Sequence, residues 1–133
     1  MKPEGLVVLV TGGRDYADKQ RVFLELDKLD REQGPIAWIV CGACNDPDPE
    51  RDGEMRGADR WAIEWAVSRQ VDFVGRPARW RVDGYPQAGP MRNARMLAQH
   101  RPNVVMAFGG GRGTDNCCKL ALEAGVDVLS FRP

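Results

Sequence analysis

Two stretches concentrate residues suited to chemistry: Thr11-Gly12-Gly13-Arg14-Asp15 and Gly109-Gly110-Gly111-Arg112-Gly113-Thr114. Glycine has no Cβ, so the backbone can take positive φ and approach a ligand closely. Successive N–H groups then make a nest for an anion, helped by the start of the following helix. Arg14 and Arg112 add charge-assisted, bidentate contacts. Thr114 either caps a helix over 115–124 or offers its hydroxyl to a phosphate. The same glycines also suit plain turns, an account that covers one such loop more easily than two. Neither stretch is a known nucleotide motif. A P-loop ends in Gly-Lys-Ser/Thr, and no lysine follows these glycines. The dinucleotide fingerprint needs a third glycine where Asn116 stands after Gly111 and Gly113.

Other polar elements are "AGPMRNARM" over 88–96 and "GRPARWRVDGYP" over 75–86. In the first, Pro90 suits an opening helical turn, placing Arg92 and Asn93 at a helix start, either facing a ligand or solvated. In the second, Arg76, Arg79 and Arg81 surround Trp80. That group would grip a base or a single strand, close over a pocket, or be a surface loop with Trp80 tucked into the core. His100, the one histidine, follows a helical pattern and is explained by the helix dipole. Cys41 and Cys44 form a C-x-x-C, but Cys117 and Cys118 are adjacent and no second C-x-x-C exists, so no metal is expected. Asp48, Glu50, Asp52, Gly53 and Asp59 faintly resemble a calcium loop, interrupted by Pro49, and fit a solvated acidic loop better.

These loops need a scaffold. Apolar runs at 6–10, 36–41, 71–74, 104–108 and 127–131 alternate with helical patterns at 21–31, 58–69, 91–99 and 115–124. Val22, Leu26 and Leu29 share one face of the first helix; Trp61, Ala62, Trp65 and Ala66 recur at helical spacing in the second. Alternation of this kind predicts an α/β fold: one Rossmann-like domain over 1–133, with a mainly parallel five-stranded sheet and helices on both faces. Right-handed crossovers favour the order 3-2-1-4-5. Ligands in such sheets bind beyond the carboxyl ends of the strands, where the loops at 11–15, 42–59 and 109–114 gather. The segments 42–56 and 75–90 are expected as long loops without regular structure.

Composition narrows the class. The 133 residues are 43% hydrophobic, with 19 basic and 19 acidic side chains, so net charge gives no sign of a nucleic-acid partner. No apolar run approaches the roughly 20 residues of a membrane helix. The run near the start ends in a turn rather than a cleavage region, so the expectation is a cytoplasmic protein with reduced cysteines and no membrane partner.

Together "VTGGRDY", "RGADRWAIEWA", "AGPMRNARM" and "FGGGRGTDN" resemble the YspA-like, cpYpsA-related branch of the SLOG superfamily, over nearly the whole chain. Wider relatives are the LOG phosphoribohydrolases and the DNA-processing protein DprA. The resemblance implies a Rossmann-like fold, a nucleotide-derived ligand and a homodimer. Against the LOG signature Pro-Gly-Gly-x-Gly-Thr-x-x-Glu, Gly110, Gly111, Gly113 and Thr114 match, Gly109 replaces the proline and Cys117 stands at the glutamate. Arg92 corresponds to the LOG arginine. A cysteine does not replace a carboxylate base.

Three functions follow as expectations. The first is a sensor or sequestering module for a nucleotide-derived small molecule. Its binding residues are Gly12, Gly13, Arg14, Asp59, Arg92, Asn93, Gly110, Gly111, Gly113 and Thr114, with no cofactor. The second is a nucleotide N-glycosidase, with Arg92, Asp59 and Asp115 as candidate catalytic residues. The third, least favoured, is a single-stranded nucleic-acid binder resembling DprA.

Overall fold

The computed structural model describes residues 4–42, 57–84 and 86–131. Within them the chain runs β1 Leu6–Gly12, α1 Lys19–Glu32, β2 Ile36–Cys41, α2 Gly57–Arg69, β3 Asp72–Gly75, α3 Trp80–Asp83, α4 Ala88–His100, β4 Val104–Phe108, α5 Arg112–Glu123 and β5 Asp127–Phe131. The strands form one parallel sheet in the order β3-β2-β1-β4-β5. This is the Rossmann-like α/β arrangement and strand order expected from the crossover rule.

The period of two along each strand divides the core between the faces. Val8, Val10, Ile39, Met106 and Phe108 pack against Val22, Leu26 and Leu29 of α1 and Ala62, Trp65 and Ala66 of α2. Val7, Leu9, Val40 and Val105 pack against Met96 of α4 and Cys117 and Ala121 of α5. All five residues of β4 are buried, as a strand covered on both faces requires. The edge strands are less covered: Phe73 of β3 and Leu129 of β5 are exposed.

Local chemistry sets the element boundaries. Asp18 caps α1, accepting from the Arg21 N–H at 3.0 Å, so the helix opens before the apolar stripe begins. Trp65 is fully buried in α2, and its indole donates to Asp27 Oδ1 at 2.9 Å. Truncating it to alanine would cost about 3–5 kcal/mol. Arg69 grips the same carboxylate through Nε at 3.0 Å and Nη2 at 2.9 Å, tying α2 to α1.

Three expectations are corrected. β1 continues through Thr11 and Gly12, so Gly12 is a strand residue hydrogen-bonded into the sheet rather than a loop residue. The segment 75–90 is not without regular structure, because it holds α3 and the opening of α4. Finally, α5 starts at Arg112 rather than 115, and Gly111 occupies its N-cap position. Thr114 is therefore the third residue of the helix and not its cap. The expectations on Cys44, Asp48, Pro49, Glu50, Asp52 and Gly53 fall outside the described residues. No helix among the described residues is long and apolar enough to cross a membrane.

Candidate functional site

β1 and β4 are neighbours, yet the chain leaves β1 for α1 on one face and β4 for α5 on the other. Their outgoing loops part at this switch point and leave a crevice between them. A cavity of about 1060 Å³ opens there. Its lining joins the end of β1 and the loop after it (Thr11 to Tyr16), Gly42 after β2, Asp59 of α2, Trp80 of α3, the start of α4, and Gly110 to Thr114. The size matches the upper range of small-molecule sites.

The loop after β1 is held by backbone bonds. The Gly13 N–H donates to Phe108 O at 3.2 Å, and Gly13 O accepts from Tyr16 at 3.2 Å and Ala58 at 3.3 Å. Trp61 Nε1 donates to Tyr16 O at 2.8 Å, and the Tyr16 ring packs on Phe108 with centroids 5.8 Å apart. Burial first, and Asp18 second, push the Tyr16 phenol above its ordinary range, so it lines the cavity as a neutral group.

The loop after β4 turns on two left-handed residues, Gly109 at φ +63° and Gly110 at φ +95°. Proline, locked near −65°, cannot stand at 109, which accounts for the glycine there. A Cβ on Gly110 would overlap Thr114 Oγ1. The turn delivers the chain to an α5 start with no side-chain cap. The first N–H groups of a helix have no intrahelical acceptor and carry the positive end of its dipole. Gly111, Arg112, Gly113 and Thr114 all line the cavity, so these donors border it.

Of the residues expected at the site, Gly12, Gly13, Arg14, Asp59, Arg92, Gly110, Gly111, Gly113 and Thr114 are brought together around the one cavity. Asp59 is buried in the first turn of α2. Arg92 faces the cavity while bracing its walls, donating from Nη1 to Gly42 O at 3.0 Å and Arg76 O at 3.4 Å, and from Nε to Asn93 Oδ1 at 2.9 Å. Asn93 is buried and outside the lining. Its Nδ2 donates to Gly113 O at 3.1 Å and Asn116 Oδ1 at 3.0 Å, clamping α4 to α5. Asp115 is exposed on α5 and likewise outside the lining.

Cys117 is fully buried between Leu9, Met96 and Ala121. Burial pushes its thiol up to about 12 against a partial offset from Arg92 and a Thr11 hydrogen bond. It stays protonated and does not line the cavity. A LOG-type carboxylate base at this position has no counterpart here.

Arg76 and Arg79, two of the arginines near Trp80, pair with other side chains. Arg76 Nε donates to His100 Nε2 at 3.0 Å at the far end of α4, beside a second cavity of about 640 Å³. Burial, then Arg76, lowers the His100 pKa and keeps the ring a neutral acceptor. Arg79 pairs with Asp83 at 3.3 Å. Trp80 itself is neither a core residue nor a free loop tip; it is partly exposed and lines the cavity. Sequence reasoning missed Tyr16, Pro86, Gln87 and Met91, which also line it. Pro86 and Gln87 lead into the polar run 88–96 and Met91 lies within it, a signal that could have marked them. Comparison with family models and with curated proteins gives no match.

Proposed function

We propose that this protein binds a nucleotide or nucleotide-derived ligand, as a sensor or sequestering module, with phosphate at the start of α5. One observation carries the reading: an uncapped helix start and the loop after β1 border a large cavity at the sheet's switch point. Glycines 111 and 113 leave the N–H groups approachable, and Arg14 and Arg112 supply positive charge at the same rim. The neutral, buried Cys117 favours binding over LOG-type hydrolysis. The proposal extends to membership of the SLOG superfamily and to a cytoplasmic homodimer. Light scattering on the pure protein tests the dimer.

The test of the ligand is mass spectrometry of small molecules released by denaturing the purified protein, beside a Gly111→Asp variant. A nucleotide in the native sample and not in the variant supports the reading. Failure of nucleotides and sugar phosphates to bind the pure protein would end it.

The buried Asp59 carboxylate in the lining favours a second reading, a nucleotide N-glycosidase with Asp59 as the acid or base. It predicts free base from nucleoside monophosphates, and loss of that turnover in Asp59→Asn. No free base from a broad nucleotide panel removes it.

A further inference from the structure

We infer that Trp80 is the wall against which the base of the ligand stacks, so the site selects nucleoside monophosphates over bare sugar phosphates. The inference rests on the phosphate reading above and adds the other half of the ligand. The cavity has two chemically unlike ends. One is the uncapped start of α5; the other is made by Trp80, Pro86, Pro90 and Met91.

The separation of the two ends follows from α4. Asn93 bonds Gly113 O, which sets the second turn of α4 beside the first turn of α5. Gly89 lies four residues earlier, and a Cβ built there would sit 3.6 Å from Trp80 Cη2, so the indole edge rests on this point of the helix. At 1.5 Å rise per residue the two levels are about 6 Å apart along the axis. One ribose bridges such a gap, and the buried Asp59 in the same lining is an acceptor for its hydroxyls.

The indole is held in place without being used by the core. No residue of α3 is buried, so hydrophobic packing does not explain the position of this one-turn helix. An ion pair to α4 ties it down. The Asp83 side chain is only 8% exposed and accepts from Arg95 Nη1 of α4 at 3.0 Å and from Arg79 Nε at 3.3 Å. Arg95 first, with Arg79 behind it, holds the Asp83 carboxyl below its ordinary range. The strut fixes a partly exposed aromatic face over the cavity before any ligand arrives. Every base has a π-face, so such a wall accepts purines and pyrimidines alike.

Calorimetry tests this with the four ribonucleoside monophosphates and ribose 5-phosphate, on the wild-type protein, Trp80→Ala, Trp80→Phe and Gly111→Asp. The expected result is tighter binding of at least one nucleoside monophosphate than of ribose 5-phosphate, by between about 5- and 150-fold, the range for one stacked base. Trp80→Ala should erase that preference and leave ribose 5-phosphate unchanged, while Trp80→Phe keeps most of it. Circular dichroism should show both Trp80 variants folded. If the two probe classes bind the wild type alike, or Trp80→Ala weakens both equally, the base wall is overturned and the phosphate reading stands. If neither class binds the wild type, the phosphate reading falls and takes the wall with it. Gly111→Asp should weaken both classes together, and an effect on only one would also overturn the two-ended assignment.

Discussion

The two glycine loops differ in what surrounds their glycines. After β1, a Cβ on Gly12 would overlap the Phe108 carbonyl oxygen and lie 2.6 Å from the Ala58 Cβ. Gly57, which packs on this loop at φ +64°, would overlap Gly13 O. After β4, a Cβ on Gly111 or Gly113 would meet nothing within 4 Å among the described residues. At the end of β1 glycine stands where protein fills the space; after β4 the same is true of Gly110, but Gly111 and Gly113 stand where the described residues leave the space open. Close packing explains Gly12. It does not explain Gly111 or Gly113, whose small size leaves the helix start open.

Substitutions separate the two roles. The largest effect is expected from Gly12→Ala, where backbone blocks the new methyl: a stability loss of about 3 kcal/mol in urea unfolding. Next is Gly111→Asp. Its carboxylate would cap α5, leaving stability unchanged or raised by up to about 1 kcal/mol. Near the phosphate position, the added charge should lower ribose 5-phosphate affinity roughly 100-fold in calorimetry. Equal damage to stability by both variants would refute the contrast. Arg95→Gln, which frees the α3 strut, should weaken nucleoside monophosphates by roughly fivefold and spare ribose 5-phosphate. Gly113→Ala, inside a helix with open space beside it, should raise stability by about 0.5–1 kcal/mol in the same unfolding assay.

The smallest effect belongs to a region remote from the cavity. The hydrogen bond from Arg69, assisted by Trp65, holds the Asp27 carboxyl below its ordinary value. A lowered carboxylate contributes stability above its unfolded pKa of roughly 3.9, and that contribution is lost as pH falls through the lower folded value. Asp27 is partly exposed, so the contribution is small. Melting temperature followed from pH 6 to pH 2 should fall less steeply in Asp27→Asn than in the wild type, with ligand affinity at neutral pH unaltered.

Much of this was legible from residue order. The apolar strand runs and the crossover rule gave the sheet order, and glycines after two neighbouring strands located the cavity. The start of α5 was not legible, because a glycine inside the first turn reads as loop and moves the apparent start past Gly113. Trp80 stayed among three alternatives (gripping a base or single strand, closing over a pocket, or tucked into the core) for a related reason: four residues of helix produce no periodicity, and the ion pair at their end, Asp83 with Arg95, joins two elements. Asn93 was placed among ligand contacts because a buried amide and a solvated one look alike in sequence; the structure spends it on Gly113 O and Asn116. Asp115 and Asp59 carry the same functional group, and only burial separates the exposed one from the one in the lining.

The pairing of β1 with β4 carries a consequence for folding. The Val7 N–H donates to Asn103 Oδ1 at 2.8 Å across 96 residues of sequence, and the cavity lies at the other end of the same strand pair. Closing a loop of that length costs chain entropy that only the finished sheet repays. The pocket therefore forms late, when nearly all the chain between its two loops is in place, and a fragment ending before β4 has no pocket. A bound ligand in turn fastens two strands whose paired residues stand 96 apart in sequence, so at 100 times its Kd it should stabilise the entire fold by about 2.7 kcal/mol. Heat resistance thus becomes a direct gauge of occupancy.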